Sequence, residues 1–433
     1  LFVTVHVLKH LSFTGLRKTI SARLEAIGDP REQGKTHHCL HDVAMSGLAM
    51  MFFQDPSLLQ FQKRMEEVKQ TSNLKSLFNV SSVPKDTCMR KVLDEIDPDH
   101  IAPIFTDFFF HLQRGTYLEQ YRVLGDSYLI SIDGSGYFSS HTIHCPGCLR
   151  KKGKEPLFEH HIVQAALIHP DKRQIIPLCP EEVTNADGHE KQDCEINAGK
   201  RLIRKIRKSH PKLRIIIVAD SLHSKQPMIE AIKNEGMHFV LVAKEEDHKV
   251  LMEYVQGART LDELHSFTTY DPKGRLHRYE WVEGVPLNGN DDAPSVNYLE
   301  YSLYVNGKRT SHNAWVTDMA LHQANVARLV RIGRCRWKIE NEGFNTLKNQ
   351  GYHIEHNYGH GQKHLSFTFF LLNLLAFFMH QIFELTDTLY QTCRQKLGSK
   401  RNLWDHLRVS MRMLIFPDWE TLLARVYRPS DFW

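Results

Sequence analysis

Three acidic residues stand where the fold could bring their side chains together. Asp133 follows a short apolar run at 128–132, Asp220 follows a β-branched run at 213–219, and Glu340 belongs to a helical pattern. Since ligands bind beyond the carboxyl ends of the strands in open α/β sheets, we expect the three acids to meet at one edge of a sheet. Carboxylates that hold two Mg²⁺ ions about 4 Å apart support phosphodiester chemistry. Each Asp alone could instead simply form the turn after its strand.

A cation accompanies the last of these acids. Arg336 precedes Glu340 by four residues, so the two side chains share one face of a helix, and Arg336 can approach a phosphate that Glu340 also faces. An ordinary surface ion pair is the alternative. Glu342 competes with Glu340 for the same role, but its spacing from Arg336 does not place those two on one face.

A second set of residues could bind zinc. Cys145-Pro-Gly-Cys148 has the spacing of half a zinc site, and four histidines lie near enough to complete it. These are His141, His144, His160 and His161. The sequence has no second CxxC, and the segment falls in a loop between two predicted strands, where reduced cysteines are common. We therefore favour a plain loop and keep Zn²⁺ as the alternative.

Basic residues and further histidines could contact nucleic acid. Ser82 could cap a helix that presents Lys85 and Arg90 outward, as a DNA-reading helix does or as any surface helix does. Six basic residues at 200–208 could follow a DNA backbone or form a solvated face. The loop after the predicted Glu helix carries His353, His356 and His360, which could contact DNA or hydrogen-bond to the core.

The composition is that of a globular protein. The chain has 433 residues, 42% of them hydrophobic and 24% charged, which suggests about two to four domains. A formal charge of +5 permits nucleic acid as a partner without requiring it. The eight cysteines are scattered rather than arranged as a secreted disulfide framework, which favours a reducing cytoplasm. The apolar stretch at 365–383 is interrupted by polar residues, so we expect a buried helix rather than a membrane span.

The middle of the chain alternates between strand and helix patterns. Three apolar runs, at 128–132, 158–168 and 173–178, predict consecutive strands. They are followed by a helix at 193–209, a strand at 213–219, a helix at 225–236 and a strand at 239–243. The resulting order, βββαβαβ, requires crossover connections and a partly parallel sheet.

The sequences around the three acids resemble a known family. Ser131-Ile-Asp133-Gly-Ser-Gly136, Val218-Ala-Asp220-Ser-Leu-His-Ser-Lys225 and Arg336-Trp-Lys-Ile-Glu340-Asn are similar to the three acidic motifs of bacterial insertion-sequence transposases of the DDE type. The resemblance spans roughly residues 128 to 364. It implies an α/β fold with a ribonuclease H-like mixed sheet core, a β-rich insertion before the catalytic Glu, and helical N-terminal and C-terminal regions. The element order derived from periodicity agrees with that fold.

The resemblance also implies cofactors, partners and a location. Two Mg²⁺ or Mn²⁺ ions would be held by Asp133, Asp220 and Glu340, and the substrates would be double-stranded DNA at the transposon ends and at the target. Since both ends must be held together, we expect a homodimer on DNA. A bacterial protein of the cytoplasm is implied, associated with the nucleoid when bound to DNA and without a membrane partner.

One subgroup of the family has a helical signature of Tyr, two residues, Arg, three residues, Glu, six residues and Lys. Arg336 and Glu340 match it, whereas Gly333 takes the place of the Tyr. Leu347 takes the place of the Lys, and Lys348 comes one residue late. Only Arg336 and Glu340 therefore carry over directly.

Relatives that cut the second strand through a DNA hairpin use a Trp beside this Arg to stack on an extruded base. Trp337 fits that place, with core packing as the alternative, and Trp281 or Trp315 could supply a second stacking surface. The expected DNA contacts are Arg336, Trp337, Lys348, Lys85 and Arg90.

Five regions follow from these assignments. We expect a helical DNA-binding domain at 1–120, the first part of the catalytic core at 121–256, a β-rich insertion at 257–320, the rest of the core with the Glu helix at 321–390, and a helical C-terminal region at 391–433. The insertion is predicted from three strand-like segments and from turn sequences such as Asn306-Gly307.

The sequence thus predicts a DNA transposase that cleaves DNA at transposon ends and joins the freed 3′ hydroxyl to target DNA without a covalent protein intermediate. Two alternatives stay open. One is a ribonuclease H-like nuclease that cuts without joining, and the other is a DNA-binding protein derived from a transposase whose catalytic site has lapsed.

Overall fold

A mixed β-sheet forms the centre of the molecule in the computed structural model, which describes residues 8–29, 31, 36–151, 153, 155–184, 193–428 and 430. Twelve strands among these residues belong to this one sheet. They are β1 (Arg122–Val123), β2 (Ser127–Ser140), β3 (Leu149–Lys151), β4 (Leu157–Ile168), β5 (Ile176–Pro177), β6 (Glu181–Val183), β7 (Arg214–Ala219), β8 (His238–Val242), β9 (His265–Tyr270), β10 (Leu276–Pro286), β11 (Ser295–Val305) and β12 (Lys308–Thr317).

The strand order is that of a ribonuclease H-like core. Strand β4 lies between β2 and the short strands β5 and β6, all antiparallel, while β7 and then β8 pair in parallel on the other side of β2. The predicted order βββαβαβ is confirmed. The third strand is shorter than predicted, because it pairs only at Ile176–Pro177 and Pro177 has no amide hydrogen to contribute to the ladder.

The parallel part of the sheet is buried on both faces. All four residues from Ile215 to Val218 in β7 are at most 1% exposed. This explains the continuous β-branched run, because a parallel strand covered on both faces has no reason to alternate apolar and polar side chains. Helices α7 (Glu195–Ser209) and α8 (Gln226–Asn234) supply the crossovers, and α9 (Lys249–Thr260) leads into the insertion.

The β-rich insertion extends the same sheet rather than forming a separate one. Strand β12 pairs with β8, and β11, β10 and β9 follow outward in antiparallel order. The turn between β11 and β12 is Asn306-Gly307, with φ values of 52° and 75°, as a two-residue hairpin turn of type I′ requires. That predicted turn is confirmed, whereas β9 was not predicted, since most of its residues are exposed and give no apolar alternation.

Helices before and after the sheet pack together into one apolar core. The N-terminal helices are α1 (Phe13–Glu25), α2 (Leu40–Phe52), α3 (Leu58–Met65), α4 (Val68–Phe78), α5 (Asp86–Asp94) and α6 (Ala102–Arg114). The later helices are α10 (Val326–Arg334), α11 (Asn345–Asn349), α12 (Leu365–Thr386), α13 (Thr388–Leu397), α14 (Lys400–Met413) and α15 (Trp419–Tyr427). Phe13 of α1 stacks on Trp419 of α15 with ring centroids 5.2 Å apart, and Phe383 of α12 stacks on the same Trp at 5.5 Å.

Helix α12 is the apolar stretch for which a buried helix was predicted. In the described part of the chain it is the helix long and apolar enough to cross a membrane by length and composition, and 94% of its most apolar window is buried inside the protein. Two of its buried polar residues have partners there. Asn373 donates to the Tyr352 carbonyl at 2.6 Å, and His380 Nδ1 lies 2.6 Å from the Tyr352 hydroxyl. The apolar composition of α12 is therefore explained by its burial in the core.

The predicted cap of the helix carrying Lys85 and Arg90 is wrong. The helix begins at Asp86, and its N-cap residue is Lys85 rather than Ser82. The Ser82 hydroxyl instead lies 2.9 Å from His38 Nδ1, while its amide donates to Asp42. Pro84 precedes the first turn, so Ser82 is too far upstream to reach an unpaired amide of α5.

Candidate active site

Asp133 and Asp220 lie side by side on neighbouring parallel strands. The last paired residues of β2 and β7 are Ser131 and Val218, and each Asp follows its member of that pair by two residues. The two side chains are therefore at the same level on strands about 4.8 Å apart. The expectation that the strand ends at Asp133 is wrong, because β2 continues to Ser140 as one arm of the β2–β4 hairpin.

Glu340 reaches this edge from a turn of π-helix, Ile339–Phe344, that follows a 3₁₀ turn containing Arg336. The Ser131 hydroxyl donates to the Arg336 carbonyl at 3.2 Å, which anchors this segment to β2. Arg336 Nη1 forms an ion pair with Glu340 Oε1 and also lies 3.7 Å from Asp133 Oδ2. One guanidinium thus holds two of the acids together. We call Asp133, Asp220 and Glu340 the acid cluster.

Asp133 is the most buried member of the acid cluster. Its side chain is 15% exposed, against 35% for Asp220 and 47% for Glu340. The pKa of Asp133 is raised to about 7, chiefly by burial and then by the charges of Glu340 and Asp220, while Arg336 acts in the opposite direction. The cluster is therefore a concentration of negative charge that a single arginine does not neutralise.

Asp220 is held in its ionised form by the turn that follows it. Its Oδ1 accepts the amide hydrogen of Leu222 at 3.1 Å and lies 3.0 Å from the ring Nδ1 of His223. Burial alone would raise the pKa of Asp220, but the hydrogen bond from His223 and its charge outweigh burial and lower the pKa. His223 is itself fully buried, so it acts as a fixed positioning partner. His223 was not predicted to take part in the site, although its position three residues after Asp220 could have indicated this role.

The π-helical turn changes the direction around the helix axis in which the residues after Glu340 point. The amide of Asn345 donates to the Glu340 carbonyl five residues back, instead of four as in an α-helix. The turn therefore takes up one extra residue, which offsets the one-residue delay of Lys348 relative to the family signature. Leu347, at the signature's Lys position, is buried, and Lys348 forms an ion pair with Glu355 at 2.8 Å.

Packing explains why position 333, where the signature has Tyr, carries a glycine. A Cβ on Gly333 would lie 2.4 Å from the indole Nε1 of Trp315, so the indole of β12 occupies the space of a side chain. Trp315 is 2% exposed and Trp281 6%. The prediction that either supplies a stacking surface is therefore wrong in this conformation, since neither ring face is open. Trp337 is 44% exposed and is open to a ligand.

The structure does not bring the predicted N-terminal contacts to the acid cluster. Lys85 and Arg90 are both exposed on α5, and within the described residues no hydrogen bond or ion pair joins either to the three acids. Arg90 packs beside Gly359, in the loop that precedes α12. Asp94, at the end of the same helix, accepts the backbone amides of Lys363 and Leu365, so α5 is attached to the start of α12.

Half of the basic run on α7 is already engaged within the protein. Arg201 and Lys205 both form ion pairs with Glu181 at 2.7 Å. Arg207 donates to backbone carbonyls, among them those of Glu235 and Leu213. These contacts favour a structural role for these residues over contact with a DNA backbone.

A carboxylate that was not predicted lies against the residue that follows Asp133. The Glu195 carboxylate at the start of α7 occupies the space that a side chain on Gly134 would need, with its Cδ 2.5 Å from a Cβ built there. Gly134 follows Asp133 directly, and a side chain there would have to displace the Glu195 carboxylate. No sequence signal marks Glu195, because only the packing of α7 on the β2–β4 hairpin brings it to this edge.

The two cysteines of the CxxC lie together with one of the four expected histidines, His160, and with His360, which was not expected at this site. Cys145 and Cys148 contact His160 on β4 and His360 from the loop before α12. Three of the histidines proposed to complete the site lie elsewhere. His141 contacts the Pro156 carbonyl, His144 stacks on Phe158, and His161 faces Glu159.

A family model described as "Transposase DDE domain" matches residues 161–379, just over half of the chain and including Asp220 and Glu340. A second model, "DDE_Tnp_1-associated", matches residues 21–109. No curated protein sequence matches. Among solved structures, a cryo-EM structure of the piggyBac transposase synaptic complex with hairpin DNA is similar at 11% identity and a TM-score of 0.39, covering 98% of this chain and 81% of that one.

The match over 161–379 extends from β4 to α12, and the second match covers most of the N-terminal helices. This chain belongs to the DDE transposase family.

Proposed function

We propose that the chain is a DNA transposase that hydrolyses a phosphodiester bond at each transposon end and then joins the freed 3′ hydroxyl to target DNA. In the first step a water oxygen bonds to phosphorus, the bond from phosphorus to the 3′ oxygen breaks, and that oxygen takes up a proton. In the second step the 3′ oxygen attacks a target phosphodiester, whose own 3′ oxygen leaves. One phosphodiester replaces another, so the joining needs no external energy source.

The observation that carries this proposal is the convergence of Asp133, Asp220 and Glu340 around Arg336. These oxygen ligands suit Mg²⁺ or Mn²⁺. Burial and the negative charges of Glu340 and Asp220 raise the pKa of Asp133, and a divalent cation would neutralise that concentrated charge. Two such cations, when bound, would stabilise the charge on the attacking and leaving oxygens. The proposal therefore includes two bound ions, Mg²⁺ or Mn²⁺.

The protein's own residues would position the substrate. His223 fixes the orientation of Asp220, and the Ser131 hydroxyl fixes the segment that carries Arg336. Arg336 would face the scissile phosphate once its paired acids are neutralised, and a planar guanidinium suits a phosphate in that position. Exposed Trp337 and half-buried Lys348, with Lys85 and Arg90 at the start and on the surface of α5, would contact the DNA on either side. A homodimer would hold the two transposon ends together, on DNA in a bacterial cytoplasm.

The test uses double-stranded DNA taken from both flanks of the coding sequence, with Mg²⁺ or Mn²⁺. We expect the parent protein to release a 3′ hydroxyl at the transposon end and to join pre-cleaved ends to a plasmid, and Asp220→Asn to do neither. Cleavage without joining would mean a nuclease, and DNA binding without either activity would mean a lapsed transposase. Equal activity of the parent and Asp220→Asn would remove Asp220 from the mechanism.

A further inference from the structure

Four buried side chains from three parts of the chain meet on the side of the β2–β4 hairpin. Cys145 and Cys148 lie in the loop between β2 and β3, His160 lies on β4, and His360 lies in the loop before α12. All four are less than 9% exposed. We call them the Cys–His cluster, and we propose that it binds one structural Zn²⁺ ion.

The distances between the four ligand atoms are those of a tetrahedral zinc site. With bonds of about 2.3 Å to sulfur and about 2.05 Å to nitrogen, tetrahedral angles require S···S, S···N and N···N separations of about 3.8, 3.6 and 3.3 Å. The two Sγ atoms are 3.8 Å apart. Three of the four S···N distances are 3.4–3.5 Å, and the two Nε2 atoms are 3.2 Å apart. A sulfur separation of 3.8 Å is also far too long for a disulfide, which needs about 2.05 Å.

The groups around the Cys–His cluster orient both rings toward a shared centre. The Nδ1 atom of His160 is 3.3 Å from Glu182 Oε1, and that carboxylate also accepts the Tyr137 hydroxyl at 2.7 Å. The Nδ1 atom of His360 is 3.0 Å from the Gly361 carbonyl oxygen. An oxygen acceptor at Nδ1 leaves Nε2 of each ring free to bind a metal, and this carboxylate or carbonyl partner is the usual arrangement behind metal-bound histidines.

The turn between the cysteines supports the same assignment. The amide of Cys145 points to the Cys148 sulfur at 3.4 Å, and the amide of Cys148 donates to the Cys145 carbonyl at 3.2 Å. A backbone amide directed at a sulfur stabilises the thiolate that zinc requires. Another group of potential ligands, Cys39, His41 and Asp42, lacks this character, because the Asp42 oxygens already accept the amides of Ser81 and Ser82.

The ion would connect the parts of the chain that carry the catalytic acids. His160 and His360 are 200 residues apart in sequence, and the cluster joins the hairpin extending from Asp133 to the loop that follows the Glu340 segment. Phe138 of β2 packs against the His360 ring, with centroids 4.4 Å apart. With four protein ligands the site has no open coordination position, so the ion would hold the structure rather than take part in catalysis.

The first test is the metal content of the full chain purified without chelator. We expect about one zinc per chain in the parent and in Asp220→Asn, and a drop to below about a tenth of that in Cys148→Ser and His360→Ala. His356→Ala is the matched control, because His356 lies in the same loop but is exposed and outside the cluster. Zinc content that is the same in His360→Ala as in the parent would overturn the proposal.

The second test is made mainly on the parent protein, so it does not depend on whether Cys148→Ser and His360→Ala fold. The parent protein, freed of zinc and titrated with Co²⁺, should give the intense visible bands of a tetrahedral site and a near-ultraviolet band from cobalt–thiolate charge transfer. In His360→Cys the metal should stay bound and the bands should shift toward those of a three-sulfur site. A native parent protein that contains no zinc and gives no cobalt–thiolate band would rule the site out. Neither readout depends on transposase activity, so failure of the zinc site and failure of the proposed function are distinguishable.

Discussion

The acid cluster and the Cys–His cluster have opposite physical characters. The acids are partly exposed and bear hard oxygen ligands, and two of them share one arginine. The cysteines and histidines are buried, bear softer sulfur and nitrogen ligands, and lie at distances that already match a tetrahedron. Exposure and ligand type together therefore separate a site suited to exchangeable Mg²⁺ and DNA from one suited to a permanent Zn²⁺.

The largest effect should come from removing one charge from the acid cluster. We expect Glu340→Gln to lower the rate of end cleavage by about 10³-fold or more, because an amide cannot replace a metal-binding carboxylate. Glu342→Gln is the matched control and should stay within about threefold of the parent. Rates come from single-turnover cleavage of labelled end DNA. A larger loss in Glu342→Gln than in Glu340→Gln would reverse the assignment of the third acid.

Breaking the Cys–His cluster should affect folding rather than catalysis first. We expect Cys148→Ser to lower the free energy of unfolding by about 3 kcal/mol or more, because zinc binding to a closed site adds directly to stability. Thermal and urea unfolding measure this change. Cys194→Ser, at an exposed cap position of α7, is the control and should be neutral. The contrast between the two clusters fails if Cys148→Ser unfolds like the parent.

Arg336 tests how strongly the acid cluster depends on its own cation. We expect Arg336→Ala to lower cleavage by about 10²-fold and Arg336→Lys to recover only part of that loss, because an ammonium cannot make the two-sided contact of a guanidinium. Cleavage rates at saturating Mg²⁺ give the comparison. Full activity of Arg336→Lys would mean that only the charge matters, and full activity of Arg336→Ala would exclude a role at the phosphate.

His223 should change the affinity of the acid cluster for metal more than the chemistry. Since its ring fixes the Asp220 carboxylate, we expect His223→Gln to raise the Mg²⁺ concentration needed for half-maximal cleavage about tenfold. The maximal rate should change little. His238→Gln is the control, because His238 pairs with Asp318 in a similar way but outside the site. An unchanged Mg²⁺ requirement in His223→Gln would contradict this positioning role.

The smallest effect on the first cut should come from Trp337. We expect Trp337→Ala to nick transposon ends at nearly the parent rate but to lose hairpin formation on the second strand, because an exposed indole can stack on an extruded base. Denaturing gels that separate nicked, hairpin and linear products report both steps. Hairpins formed by Trp337→Ala at the parent rate would assign this Trp to packing alone.

Several features of the fold could be predicted from local patterns. The β-branched run of β7, the turn at Asn306-Gly307 and the burial of α12 follow from side-chain periodicity and backbone preferences within a few residues, and the structure confirms them. The cap at Ser82 and the stacking role of Trp315 were wrong, because they depend on which neighbours come close. A capping geometry or an open ring face is a property of packing that a single segment does not contain.

By itself, the sequence determined the family, the order of the core strands and the three acids, because these depend on residue types at short spacings that a sheet and a helix position in a regular way. The tertiary structure alone decided that His360 joins Cys145, Cys148 and His160, that Glu195 lies against Gly134, and that Trp315 fills the space at Gly333. The physical reason is distance along the chain. Contacts between residues tens to hundreds of positions apart are set by how whole elements pack, and no local pattern records that packing.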